Sequence, residues 1–243
     1  MSNIFKAMIY RILKSKILVY TLLCSVVFPF VLSFVGLWSE NEEQAFYGTW
    51  DNFFFIENLV FLVFVCAYNC ADYKNKTINF EVMNGHSPLA IFGGRTFAFV
   101  VFVEIMFNVG FAITHFMLKT NLMYASIVSN HQFGVLRIVT IEVILLTYLI
   151  YYVVCSFVLR NTLFALVVSW MGFAFSGIVV FLDDIVYLPN GDRLSTIIGA
   201  NTVKFIMLDE TTVSKLLLTI LISVSFSIVL LVIGFKNVSK QEF

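Results

Sequence analysis

Long apolar runs of similar length alternate with short polar segments along the whole chain. Each of the six runs holds about 19–23 residues, and a helix needs roughly 20 residues to cross a hydrocarbon layer of ~30 Å. The pattern therefore predicts an all-α integral membrane protein that forms a single six-span domain over residues 1–243. The predicted transmembrane helices cover residues 17–38, 53–71, 96–118, 138–159, 163–182 and 216–235.

The composition agrees with a chain whose solvent is lipid. Of 243 residues, 60% are hydrophobic and only 12% are charged, whereas a soluble domain carries ~25% charged residues. The formal net charge is +0, so the chain has no basic surplus with which to hold a nucleic acid. These values argue against a soluble enzyme, a nucleic-acid-binding protein and a disordered chain.

Lysine and arginine are distributed unevenly between the two sets of loops. Ten lie on one side of the predicted membrane and five on the other. Because short cytoplasmic loops are enriched in these residues, both termini are predicted to be cytoplasmic. The ten cytoplasmic residues are Lys6, Arg11, Lys14, Lys16, Lys74, Lys76, Arg95, Arg160, Lys236 and Lys240.

The first 16 residues have the spacing of an amphipathic helix. Its polar face carries Asn3, Lys6, Tyr10 and Lys14. Such a helix is suited to lie flat in the inner membrane interface; the alternative is a simple cytoplasmic extension of the first span. The apolar face consists of Ile4, Phe5, Met8, Ile9, Ile12 and Leu13.

A second short helix is predicted in the cytoplasmic loop between spans two and three. Thr77 can cap its beginning, Asn84-Gly85 can end it, and Ser87-Pro88 can start the next helix. Its apolar residues would lie outside the lipid, so the helix is expected to dock on another surface. The outer loop 183–214 is expected to form one or two short interfacial helices.

Charged and polar residues inside the predicted spans mark a candidate substrate path. Glu104 lies nine residues into span three, and Asn108 and His115 follow on roughly the same face. Glu57 lies in span two and Glu142 in span four. A charge in the bilayer centre costs roughly 2.5–3.5 kcal/mol, so such residues either line a path or form hydrogen bonds that hold helices together.

Span five carries a stripe of small residues, Ala165, Ser169, Gly172 and Ser176. Small residues at this spacing let two helix backbones approach closely in lipid. The stripe predicts a helix–helix contact, either within the chain or with a second subunit.

No motif for catalysis is found on the chain. It lacks a GxxxxGK[ST] phosphate loop, an HExxH motif and a GxSxG nucleophile elbow. The four cysteines fall within or at the ends of spans, and the three histidines are scattered. We therefore expect neither an enzyme nor a metal site or cofactor on this chain.

The order of these parts resembles the permease subunits of type-2 ATP-binding-cassette (ABC) exporters. The most specific stretch runs from Asp72 to Thr77 and from Gly85 to Arg95. It resembles a pattern of that family: an acidic-x-x-x-x-Thr segment, a Gly- or Pro-containing turn, a Ser-containing turn and a basic residue that opens span three. This chain has Gly-His-Ser-Pro where many members have a Pro-x-Ser-Arg type of turn, and Arg95 where many have Lys.

The resemblance implies that the short cytoplasmic helix is a coupling helix in a groove of a separate ATPase subunit, which would hold ATP and Mg. It also implies a second permease subunit, identical or paralogous, with contacts that involve spans one and five. The implied ATPase contacts are Thr77, Ile78, Phe80, Glu81, Met83 and Asn84.

The many phenylalanines favour an amphipathic, peptide or lipid-like substrate. By its size the chain also resembles the small permeases of low-GC Gram-positive bacteria that export or expel antimicrobial peptides such as lantibiotics. This resemblance implies a peptide substrate and a location in the bacterial plasma membrane. The competing hypothesis is a stand-alone membrane protein that acts as a sensor, an assembly factor or an unrecognised intramembrane enzyme.

Overall fold

The computed structural model describes residues 2–35, 42–120, 135–182 and 212–240. Within these ranges the secondary structure is helical. The outer loop 183–214, for which short helices were expected, falls almost wholly outside the described residues. The helices are α1 (Ser2–Lys14), α2 (Lys16–Val35), α3 (Glu42–Lys74), α4 (Thr77–Met83), α5 (Pro88–Thr120), α6 (Val135–Leu159), α7 (Thr162–Leu182) and α8 (Val213–Ser239).

The all-α class is confirmed for the described residues, and four of these helices are long and apolar enough to cross a membrane. They contain the predicted second, third, fourth and sixth spans. α2 includes most of the first span, and α7 includes all of the fifth. Their apolar stretches within the described residues, Lys16–Phe28 and Thr162–Phe175, are shorter. The four long segments are Gly48–Lys74, Pro88–Lys119, Val135–Leu159 and Val213–Ser239.

α3 and α5 extend well beyond the apolar runs that predicted them. Each has 33 residues, so each is about 50 Å long at 1.5 Å per residue, against ~30 Å of hydrocarbon. α5 begins at Pro88, whose fixed φ suits the first helical position, and the Ser87 hydroxyl accepts a hydrogen bond from the Ala90 N–H (3.2 Å). The ends of these helices therefore project beyond the membrane core.

α3 contacts α2, α4, α5, α6 and α7, whereas α1 packs mainly on α5, and α8 packs on α6 and α5. Much of the core is aromatic: the Phe92 ring meets both Phe157 and Phe235 edge to face at 5.0 Å between ring centroids. Edge-to-face rings contribute about 0.5–1.5 kcal/mol beyond their buried area. This packing accounts for part of the phenylalanine content of the chain.

α8 packs mainly on α6 through a stripe of small residues that the sequence analysis did not single out. Thr219, Ser223 and Ser227 recur every four residues and are buried, and the Ser227 hydroxyl lies 2.9 Å from that of Thr147 on α6. Further along, a Cβ at Gly234 would lie 2.6 Å from the Phe92 ring. The four-residue spacing was a signal that could have revealed this interface.

Each of the eight described helices has an end, or most of its length, at one end of the bundle. Arg11 of α1 binds Asp72 at the C-terminus of α3, Arg160 between α6 and α7 lies 5.3 Å from the Tyr73 ring, and the C-terminal part of α8 meets Phe92 of α5. We call this end of the bundle the basic end, because the ten Lys and Arg residues predicted to be cytoplasmic lie on or beside these helix ends.

Candidate coupling site at the basic end

The short helix α4 lies between two residues with left-handed backbone conformation. Lys76 has φ 57° and Gly85 has φ 83°, and only glycine adopts such a φ without a steric cost from Cβ. The residue preceding α4 is Lys76, without a side-chain cap, and Thr77 is the first helical residue. The predicted capping role of Thr77 is therefore wrong, whereas the predicted stop at Asn84-Gly85 is confirmed.

Arg95 holds α4 against α3 and α5. Its side chain is fully buried, and its guanidinium donates to both carboxylate oxygens of Glu81 (2.8 and 3.2 Å) and to Asp72 (2.6 Å). It also donates to the side-chain oxygen Oδ1 of Asn69 at 3.3 Å. A planar guanidinium suits such two-point contacts with a carboxylate.

Arg11 of α1 also contacts these two carboxylates. It binds Asp72, and its guanidinium lies 3.7 Å from Glu81. We call Arg11, Asp72, Glu81 and Arg95 the four-charge cluster: its two positive and two negative side chains come from α1, α3, α4 and α5. The charges balance, which is the condition under which buried ions are tolerated.

The polar network continues from this cluster into the bundle. The Asn69 amide donates to the Ser156 hydroxyl of α6 at 2.7 Å, and that hydroxyl donates to the Val153 carbonyl at 2.7 Å. A continuous chain of hydrogen bonds therefore links α4 to α6 through α5 and α3. Because these groups are buried, a displacement of α4 would break bonds that cannot be replaced by water.

α4 divides the six predicted ATPase contacts between two faces. Ile78 is fully buried against Ile4 of α1 and Ile91 of α5, and Glu81 belongs to the four-charge cluster. Phe80 is 62% exposed and Met83 80% exposed; Asn84 is also exposed and Thr77 is half-buried. Of the two faces, only the second exposes apolar side chains.

The four residues predicted to line a substrate path do not converge on one site. Glu57 is buried between helices, and the Ser25 hydroxyl donates to its Oε2 at 3.0 Å. This bond connects α2 to α3, as the packing alternative required. Asn108 is exposed and donates to the Glu104 carbonyl at 2.9 Å.

Glu104 and His115 are both half-buried on α5. Glu104 is close enough to Glu142 of α6 for the two carboxylates to interact electrostatically. Among the described residues, no three His, Cys, Asp or Glu side chains are arranged to hold a metal ion.

The small-residue stripe of α7 packs within the chain. Ala165 and Ser169 are fully buried against Cys66 and Cys70 of α3. A Cβ at Gly172 would lie 2.4 Å from the Tyr151 ring of α6. These three residues are therefore helix-packing residues of this chain, and the side chain of Ser176 lies outside the described part.

Sequence reasoning quoted Asp72 and Arg95 as motif residues and counted Arg11 as a positive charge, but it did not predict that they meet. The available signal was position: Asp72 directly follows the predicted span 53–71 and Arg95 directly precedes the span 96–118, on either side of the short helix that carries Glu81. Comparison with protein-family models, curated proteins and solved structures found no match to this chain.

Proposed function

We propose that this protein is the transmembrane subunit of an ATP-driven exporter and that α4 docks on a separate ATPase subunit. The observation that carries the proposal is the combination of two faces on one short helix. Glu81 and Ile78 bind it to α1, α3 and α5, while Phe80 and Met83 remain exposed at the basic end. A force on the exposed face of α4 would therefore be transmitted to α1, α3 and α5 at once.

The proposed complex has six spans per permease, with the basic end and both termini in the cytoplasm of a bacterial cell and the chain in its plasma membrane. Two permease subunits, identical or paralogous, would form the transport path, and ATP and Mg would bind to the ATPase partner. The proposed substrate is an amphipathic peptide, such as an antimicrobial peptide, or a lipid-like molecule. The chain itself would carry no catalytic residue.

Substitution of the exposed α4 residues tests the docking. The variants Phe80→Glu and Met83→Glu should lose at least about tenfold of the co-purified ATPase, since each places a charge in an apolar contact. The measurement is mass spectrometry of complexes extracted gently from the native membrane. Val135→Glu is the matched control, because Val135 is 78% exposed but lies at the N-terminus of α6.

Two results would overturn the proposal. One is recovery of the wild-type chain without any phosphate-loop ATPase under conditions that preserve known membrane complexes, which would favour a stand-alone membrane protein. The other is retention of the ATPase by both α4 variants at the level of the Val135→Glu control.

Glu104 is the proposed contributor to the substrate path. Glu104→Ala should leave the complex assembled and lower peptide-stimulated ATP hydrolysis about tenfold. A loss of this size corresponds to the free energy of one hydrogen bond between the substrate and a charged group. The assay compares basal hydrolysis with hydrolysis in the presence of a lantibiotic. Unchanged stimulation would assign Glu104 to helix packing.

A further inference from the structure

The sequence predicts that the apolar face of α1 lies in the membrane interface. In the structure that face packs on the bundle, and the polar face of α1 is exposed. Ile4, Met8 and Ile12 are buried on the bundle, and the Phe5 ring meets Phe97 of α5 at 5.1 Å between ring centroids. The apolar stripe predicted to lie in the membrane interface is therefore covered largely by protein, although Leu13 stays exposed.

The face that remains exposed is basic and aromatic. Lys6, Tyr10, Leu13 and Lys14 share it, and Lys16 follows at the start of α2. The Lys14 ammonium lies 4.4 Å from the centroid of the Tyr10 ring. We call these five residues the lysine face. No acidic residue occurs on α1.

The charges at the basic end are not balanced outside the four-charge cluster. Among the described residues there, the two carboxylates, Asp72 and Glu81, are both bound by Arg11 and Arg95. The lysines therefore leave a positive surface, with Lys6, Lys14 and Lys16 exposed on one continuous stretch of chain. Such a surface is complementary to an anionic partner.

We propose that the lysine face binds the headgroups of anionic phospholipids. Two observations favour lipid over an acidic protein or a nucleic acid. Tyr10 and Leu13 are 57% and 59% exposed among the lysines, and tyrosine and lysine together are typical of the membrane interface. The exposed surface also continues into apolar side chains of α2, namely Val19, Tyr20 and Leu23, which suit acyl chains.

This inference rests on the membrane character of the chain and not on the proposed transport function. An anionic lipid bound here would contact α1, which is tied to α4 through Arg11. Lipid binding would thereby stabilise the position of α4 without contacting it.

The test is lipid binding by the purified full-length chain in detergent, followed by native mass spectrometry. The probes are phosphatidylglycerol, which is anionic, and phosphatidylcholine, which is zwitterionic and has no net charge. The triple variant Lys6→Gln, Lys14→Gln, Lys16→Gln should bind phosphatidylglycerol about 100-fold more weakly than the wild type, since each lysine near an anionic surface contributes about 1 kcal/mol.

A matched variant removes the same charge elsewhere at the basic end: Lys74→Gln, Lys76→Gln, Lys236→Gln. It should retain most of the binding, and the charge-conserving variant Lys6→Arg, Lys14→Arg, Lys16→Arg should retain nearly all of it. Equal loss in the two glutamine variants, or equal wild-type affinity for the two lipids, would overturn the proposal.

The salt dependence of wild-type binding provides a second test that does not depend on any variant folding. Binding to phosphatidylglycerol should weaken steadily as the NaCl concentration rises, because exposed charges are screened. Affinity that does not change with salt would exclude a headgroup site built from lysines. Since neither experiment involves an ATPase, failure here leaves the docking of α4 untouched, and the reverse also holds.

Discussion

Arg95→Met is expected to lower the free energy of unfolding by about 3–5 kcal/mol, the usual cost of removing one partner from a buried ion pair. The Arg95 side chain is fully buried, and its loss leaves Asp72 and the largely buried Glu81 with only the half-exposed Arg11 as counter-charge. The measurement is the unfolding of the purified chain in a mild detergent, compared with the wild type by denaturant titration or thermal midpoint.

Two further variants separate the charge imbalance from the loss of packing. Arg95→Met combined with Asp72→Asn and Glu81→Gln should be markedly more stable than Arg95→Met alone, because the uncompensated charges are gone. Lys74→Met removes a positive charge from an exposed site at the same end of the bundle and should change stability by no more than about 0.5 kcal/mol. If Arg95→Met and Lys74→Met were equally stable, the four-charge cluster would have no structural importance.

Gly234→Val should lower stability by about 1–3 kcal/mol, because it overpacks the contact of α8 with α5 and α6. Even the Cβ would lie 2.6 Å from the Phe92 ring and 3.1 Å from a methyl group of Val154. Phe92 is fully buried between two other rings, so it has little room to move. The same unfolding measurement applies.

Ser225→Val provides the control for helix propensity and added volume, since Ser225 lies on the exposed side of the same helix. It should be near neutral. Shortening the opposing side chain tests the contact directly: in a double-mutant cycle, Phe92→Leu should cost less in the Gly234→Val background than in the wild type. Additive costs would show that the two residues do not press on each other.

The four-charge cluster determines the orientation of α4 more than it stabilises the fold. A buried ion network is weak support for stability in itself, because desolvation offsets much of the attraction. It does specify geometry, since its bidentate bonds form in one arrangement only. We therefore interpret the cluster as the element that keeps α4 in a defined orientation relative to α1, α3 and α5, with Phe80 and Met83 outward.

The sequence by itself determined the class of the protein and the location of most helices. Apolar runs of membrane length are a property of consecutive residues, so the spans 53–71, 96–118, 138–159 and 216–235 all fall within observed helices. The end of α4 at Asn84-Gly85 was also predictable, because a left-handed φ favours glycine locally. The uneven distribution of Lys and Arg also predicted which loops lie together at the basic end.

Only the tertiary structure decided which surface covers each helix face. Periodicity shows that α1 has an apolar stripe, but not that α5 rather than lipid covers it. The small residues of α7 likewise predicted a contact and left its partner open. In the four-charge cluster, Arg11 and Asp72 are 61 positions apart in the sequence, and Asp72 and Arg95 are 23 positions apart. Such pairs depend on how the helices pack, and no local spacing in the sequence encodes them.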